Sequence, residues 1–313
     1  MIFFASPRYA AAIAERADNA YIGGYPIGIS IDVGGLLVES VTGVETEFGI
    51  AYVDGLQVGD IIKKIDGKDV ATADDLAALL TEGTAVKVEL LRDGTDVDIS
   101  VKPIVDAYSK KPRLGVKVKD KIYGVGTVTY VSADGKYVAL GHEIYDGETG
   151  VHIPFSGGNV HACKIIGIKR GRKGEAGAIL ASISPENVFG TVECNNNFGI
   201  AGRFVVEYDK SELIPIASRD EVKPGPARIK TTVDGKAEYY DIEIIKASKQ
   251  ADRREKGMVF RVTDKRLLEL TGGVLRGMSG SPIVQNGKIV GAVTHVFLND
   301  FTKGYGVYAD FLN

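Results

Sequence analysis

Near the C-terminal end of this 313-residue chain stands Gly277-Met-Ser-Gly-Ser-Pro282, the segment whose residue types could do covalent chemistry. A serine between glycines in a tight turn presents its hydroxyl outward. The glycines let backbone approach a substrate and aim two N–H groups at one point. Acyl transfer is the chemistry that needs this arrangement. Ser279 would attack a peptide carbonyl while the N–H groups of Gly277 and Ser279 hold the developing oxyanion. The loss of one such donor typically costs about a hundred- to a thousand-fold in rate. Far upstream, Ala139-Leu-Gly-His142-Glu-Ile144 ends a predicted strand with a histidine. An imidazole that titrates near neutrality can take the serine proton and return it to a leaving amine.

The other reactive side chains form no competing site. Cys163 and Cys194 fit no metal or redox spacing, and both a disulfide and two free thiols stay open. The four histidines, His142, His152, His161 and His295, make no H-E-x-x-H ligand motif, so neither a metal nor a cofactor is expected. His295 falls on the strand after the serine hairpin, a place suited to lining a substrate, and His152 and His161 read as surface residues. The basic run Lys169-Arg-Gly-Arg-Lys173 has no interleaved aromatics and lies between apolar strands, which makes it a solvated hairpin tip, not a nucleic-acid patch. Lys plus Arg number 38 against 41 Asp plus Glu, a net charge of −3 that argues against a dedicated nucleic-acid binder.

These residues must be positioned by a β-rich scaffold. Hydrophobic residues make up 44% of the chain, enough for proper cores, and 39 glycines without a three-residue period point to frequent turns. No run approaches 18 apolar residues, so no transmembrane helix is encoded. The length suggests two domains. Residues 1–21 read as a tail with a truncated or processed start, because the apolar opening is shorter than a signal-peptide core and follows no basic segment. Residues 22–103 form a first unit with strands at Ile27–Asp32, Leu36–Val41, Val86–Leu91 and Asp96–Val101. Thr72-Ala-Asp-Asp75 is a capping-box-like start for a helix reaching Leu80. Residues 104–112 end in proline and read as a linker. From 113 to 313 short strands alternate with glycine turns, among them Gly124–Val131, Tyr137–Leu140, Phe204–Tyr208 and Ile289–Val296, the pattern of packed β-barrels. Asp264 opens a predicted short helix, where aspartate is a good N-cap.

The first unit resembles a bacterial PDZ domain through Pro26-Ile-Gly-Ile29, Gly34-Gly-Leu-Leu-Val38, Gly55-Leu-Gln-Val-Gly-Asp-Ile-Ile62 and the Asp-Leu helix. The resemblance implies that an extended peptide adds as a strand beside the sheet, its carboxylate held by a loop of Ile27, Gly28 and Ile29 and its far side by Leu76 and Leu80. The serine segment is similar to the Gly-Asp-Ser-Gly-Gly-Pro motif of chymotrypsin-like peptidases. Met278 replaces the aspartate and Ser281 the second glycine, which leaves Ser281 as a rival nucleophile.

Ala139-Leu-Gly-His142, Gly190-Thr-Val-Glu193, Val262-Thr-Asp-Lys265, Thr271-Gly-Gly-Val-Leu-Arg-Gly-Met-Ser-Gly-Ser-Pro-Ile283 and Gly291-Ala-Val-Thr-His-Val296, taken together, strongly resemble the stage IV sporulation protein B peptidases. That resemblance implies a mainly β chain with a PDZ domain followed by a chymotrypsin-like double β-barrel. It implies a Ser279 nucleophile, a His142 base and Asp264 as third catalytic residue; Asp146, four residues after His142, is a lesser candidate by its position alone. It further implies export to the space between forespore and mother-cell membranes, self-cleavage near the N-terminus, and cleavage of a membrane-bound regulator that activates an intramembrane metalloprotease and late sigma-factor processing. The PDZ ligand would be the chain's own N-terminus or another protein. The rival functional readings are a non-catalytic PDZ scaffold and a general quality-control protease.

Overall fold

The structure is a computed structural model that describes residues 18–172, 174–250 and 252–312. In the first half of the chain the strands are β1 (Pro26–Val41), β2 (Ile61–Ile65), β3 (Val86–Arg92) and β4 (Thr95–Val101), with helix α1 (Ala73–Leu79) before β3. They are followed by β5 (Val116–Val131), β6 (Lys136–Ala139), β7 (Gly158–Lys169), β8 (Ala178–Asn196) and β9 (Gly199–Phe204). The last third adds β10 (Gly225–Asp234), β11 (Lys236–Ala247) and β12 (Met258–Val262). Helix α2 (Lys265–Thr271) then leads to β13 (Pro282–Gln285), β14 (Lys288–Val296) and β15 (Lys303–Tyr308).

Two barrels and a small sheet result. The order β5-β6-β9-β8-β7-β1 closes on itself because β1 also pairs with β5, and this ring is the first barrel. The second is the closed ring β10-β11-β12-β15-β14-β13. Each has its own apolar filling. Ile27, Ile29, Ile31, Val128, Tyr137 and Ile200 pack inside the first, and Ile229, Tyr240, Phe260, Ile283 and Val307 inside the second. The chain is therefore the mainly β, double-barrel protein that the resemblance implies. The PDZ sheet runs β1-β2-β3-β4 and is filled by Leu36, Val38, Ile62, Val88 and Leu90 under α1. The Thr72 side chain accepts from the Asp75 N–H and the Asp75 carboxylate accepts from the Thr72 N–H, closing the expected capping box.

The strands expected at Ile27–Asp32 and Leu36–Val41 are not two separate strands. Both segments belong to the single strand β1, whose first half builds the barrel and whose second half enters the PDZ sheet. Opposite β1, Asp32 pairs with Lys121 and Leu37 with Lys119, so Val33–Leu36 bulge against Asp120 alone. The glycine pair serves that bulge: Gly34 has φ +72°, and a Cβ on Gly35 would sit 2.5 Å from the Ile62 carbonyl oxygen. The site expectation for Ile27, Gly28 and Ile29 is corrected accordingly. They are buried in the first barrel, paired with β5 and β7, and do not form a loop beside α1. His161 is also not a surface residue. It pairs with Gly28 of β1, is buried, and its Nε2 lies 2.8 Å from the Ser30 hydroxyl. The strand predicted at Phe204–Tyr208 ends where it was expected to begin, since β9 covers Gly199–Phe204.

Candidate active site

Ser279 and His142 come from different barrels and line one cavity of about 600 Å³. His142 follows β6 through Leu140 and Gly141, both at left-handed φ (+72° and +74°). A buried leucine held there is a strained residue of the kind found at functional sites. The turn that carries Ser279 is seated on this corner. A Cβ on Gly280 would lie 2.0 Å from the Thr127 carbonyl oxygen and 2.4 Å from the Leu140 nitrogen, so only glycine fits. β5 grips the same turn through three hydrogen bonds. The Thr127 N–H donates to the Ser279 carbonyl (2.9 Å), the Thr127 hydroxyl to the Gly277 carbonyl (2.9 Å), and the Thr129 hydroxyl to the Gly280 carbonyl (2.7 Å).

The N–H groups of Gly277 and Ser279 have no acceptor among the described residues, whereas their neighbours do: Met278 donates to Leu275 and Gly280 to Val293. Two free donors flanking a serine are what an oxyanion requires. The Ser279 hydroxyl itself donates to the Thr294 carbonyl at 2.8 Å. Ser281 is fully buried and its hydroxyl is bonded to that of Thr231 (2.8 Å), which removes it from contact with a substrate.

The His142 Nδ1 is 2.9 Å from the Glu143 carbonyl. A carbonyl only accepts, so Nδ1 carries the hydrogen and Nε2 is left with its lone pair, the tautomer a general base needs. Burial lowers the His142 pKa below the ordinary histidine value, while the Glu143 carbonyl and the charge of Glu255 pull it back up. The ring faces that of His295, with centroids 5.1 Å apart. His295 is held neutral at about 4 by burial, by His142 and by Lys256, and its Nδ1 is buried without a partner.

Asp264 is not joined to this pair by any hydrogen bond among the described residues. It is the N-cap of α2, accepting from the Leu267 N–H at 3.1 Å and, through its other oxygen, from the Asp241 N–H at 3.4 Å. Asp146 is buried in an ion pair with Lys119 (2.7 Å) and accepts from Thr149. Leu76 and Leu80 do line a groove, but its opposite wall is the Arg113–Val118 region. Cys163 and Cys194 are free thiols. Among the described residues no cluster of three or more His, Cys, Asp or Glu could hold a metal ion.

Sequence reading missed Thr127, Thr129, Thr294 and the Glu143 carbonyl. Thr127 and Thr129 carried a faint signal, two hydroxyls at i and i+2 in the apolar second half of β5, but their partners lie about 150 residues away.

The family model of the SpoIVB peptidase S55 matches residues 110–312, and a PDZ domain model matches residues 41–92. No curated protein matches the chain. Among solved structures, the Rv3671c protease in its inactive form is similar at 13% identity, over 61% of this chain and 81% of that one, with a TM-score of 0.35. The active form of the same protease from M. tuberculosis is similar at 14% identity, over 62% and 70%, also with a TM-score of 0.35.

Proposed function

This chain belongs to the SpoIVB peptidase S55 family, and from that premise we propose a serine endopeptidase in which Ser279 is the nucleophile and His142 the general base. The chain is a serine peptidase with a PDZ domain, and its substrate is a peptide or protein. In the proposed reaction the Ser279 hydroxyl leaves the Thr294 carbonyl and gives its proton to His142 Nε2 as its oxygen attacks the substrate carbonyl. The oxyanion enters the space served by the N–H groups of Gly277 and Ser279. The imidazolium then protonates the leaving amine, and a water repeats the cycle on the acyl-enzyme. The Glu143 carbonyl does the orienting work that a carboxylate does in other serine peptidases. Being neutral, it cannot balance the imidazolium charge, which the charge of Glu255 favours against the larger opposing effect of burial.

The observation that carries this reading is the pair of unsatisfied N–H groups around Ser279 in the cavity shared with His142. A fluorophosphonate probe tests it. Labelling of the wild-type chain that vanishes in Ser279→Ala is the expected result. A folded wild-type chain that stays unlabelled under conditions that label a control serine peptidase would favour the scaffold reading. The finer role rests on the family alone: an exported enzyme between forespore and mother cell that cleaves a membrane-bound regulator and so starts late sigma-factor processing. A narrow substrate range supports that role, and digestion of casein-like unfolded chains would favour general quality control. The proposed self-cleavage falls near residues 1–17, outside the described residues.

A further inference from the structure

We propose that His142 and His295 together form a binding site for a Zn²⁺ ion, and that the bound ion reversibly switches off the peptidase by occupying the lone pair of its base. The inhibitory half of the proposal rests on the peptidase reading; the binding half does not.

The two rings reach the cavity from different barrels, His142 from the corner after β6 and His295 from β14. His295 has no part in the proposed reaction. Neither of its ring nitrogens has a hydrogen-bond partner among the described residues, and Nδ1 is buried. His142 Nε2 also has no partner there, because that ring is bonded only through Nδ1, to the Glu143 carbonyl. Three unpaired imidazole nitrogens therefore line one cavity of about 600 Å³. The Thr294 hydroxyl, on a residue of the same lining, is buried and unpaired as well. Polar atoms away from solvent are normally paired, so this concentration calls for an occupant.

The donor chemistry selects that occupant. A neutral imidazole offers one lone pair. Histidines are mostly uncharged at pH 7.5, and burial lowers the pKa of both of these. Two nitrogen lone pairs suit Zn²⁺ and not Mg²⁺ or Ca²⁺, which take oxygen. Two imidazoles bound to one tetrahedral zinc at about 2.1 Å place their ring centres about 5 Å apart. The observed separation is 5.1 Å. The Glu143 carbonyl fixes the His142 ring and its tautomer, the role an outer partner plays at zinc sites. The His295 ring, tilted by 39° and held by no hydrogen bond among the described residues, can turn a nitrogen to the ion about its soft terminal torsion. The charges acting on the two rings oppose each other, Glu255 on His142 and Lys256 on His295.

Two protein nitrogens are fewer than the three or four that hold a resident zinc, in keeping with the lack of a larger ligand cluster among the described residues. Water fills the other positions, and the ion exchanges with solvent. While it is bound, His142 Nε2 cannot accept the Ser279 proton.

The test uses the full chain carrying Cys163→Ser and Cys194→Ser, which removes the thiols as rival zinc ligands. With Ser279→Ala added, titration calorimetry at pH 7.5 is expected to show one Zn²⁺ bound per chain. His142→Gln, His295→Gln and His295→Phe should each weaken binding at least about tenfold, the loss that an outer partner alone can cause. The phenylalanine keeps a ring against His142 while removing both nitrogens, which separates a packing defect from a lost ligand. His152→Gln, at the exposed histidine beside Glu143, should change nothing. No binding, binding that survives either His295 variant, or binding lost with His152 overturns the site. In the chain with Ser279 intact, saturating Zn²⁺ is expected to slow fluorophosphonate labelling at least about tenfold, since general-base help is typically worth about a hundredfold or more. EDTA should restore the rate and Mg²⁺ should leave it alone. Each variant is compared with its own metal-free rate, and that of His295→Phe should be indifferent to Zn²⁺. Equal slowing by Mg²⁺, equal slowing of His295→Phe, or zinc bound at the pair with labelling unchanged overturns the inhibition. A chain that binds zinc through both histidines but is never labelled without metal leaves the site standing and removes the peptidase reading.

Discussion

Asp264 decides whether this enzyme works with a triad or with a dyad oriented by backbone, and two substitutions separate the cases. One carboxylate oxygen caps α2 at the Leu267 N–H and the other takes the Asp241 N–H at a long 3.4 Å. The ion pair to Arg266 spans 3.9 Å, and that arginine is 60% exposed, so it adds close to nothing. An N-cap is worth about 1 kcal/mol, and asparagine caps as well as aspartate. Asp264→Asn should therefore change stability by less than about 0.5 kcal/mol, whereas Asp264→Ala should lose about 1–2 kcal/mol. For a domain of this size that is a fall in Tm of about 2–8 °C. The matching kinetic expectation is that kcat/KM, normalised to sites titrated with a fluorophosphonate, stays within about threefold of wild type for both variants. The opposite outcome is as clear. If Asp264→Asn keeps its Tm but loses activity by about ten-thousand-fold, the deficit expected when a histidine is left in the wrong tautomer, the carboxylate must reach His142 during catalysis. The Glu143 contact would then be a resting arrangement only.

Three further outcomes follow from the geometry. Glu255 raises the His142 pKa by its negative charge, so Glu255→Gln should lower it further below the ordinary histidine value. Because the base must be neutral, the acid limb of the pH–kcat/KM profile should move to lower pH, and an unmoved or upward-shifted limb contradicts the placement of that charge. Gly280→Ala forces a Cβ to within 2.0 Å of the Thr127 carbonyl at φ +91°, and denaturant unfolding should show a loss of about 3–5 kcal/mol. A loss below about 0.5 kcal/mol would mean that the serine turn is not locked onto β5. In the PDZ unit, Arg92 bonds both oxygens of Asp60 at 2.7 Å, and the Asp60 side chain is 1% exposed. Arg92→Ala should cost about 3 kcal/mol, read from the urea midpoint, because it leaves a buried carboxylate unpaired.

Much of the local structure was legible because it depends on neighbours in sequence. Thr72 and Asp75 are three residues apart, and their reciprocal bonds form as the spacing requires. Asn286-Gly287 turns β13 into β14 with both residues at positive φ, the backbone that this pair of residue types tolerates. The serine turn likewise carries its glycines at φ +98° and +91°. What the sequence concealed is the choice of distant partner. Gly34-Gly35 has the composition of a hairpin turn, and only the pairing of β1 with β5 shows that it is a bulge in a strand shared by two domains. His161 reads as exposed until Gly28 and Ser30 are placed beside it.

That division has a consequence for how the enzyme is assembled. The proposed nucleophile, Ser279, and its free N–H groups belong to one short turn, which β5 holds through Thr127 and Thr129. The base needs a second barrel, and the two barrels meet where glycines remove every Cβ that would keep them apart. Gly280 admits the Thr127 and Leu140 backbone, and Gly141 would otherwise press on Thr294 and Val307 from 3.0 and 3.2 Å. Within the first barrel, a Cβ on Gly199 would approach the Ala139 carbonyl to 2.3 Å, so glycine is needed beside the corner that carries His142 as well. The Gly280 contacts are backbone on backbone, with no soft side chain to yield, so the spacing of the proposed base and nucleophile is set by close packing and not by a tunable ion pair. β5 runs through the middle of that junction and out to α1, so a single strand joins the PDZ unit to the turn that carries Ser279.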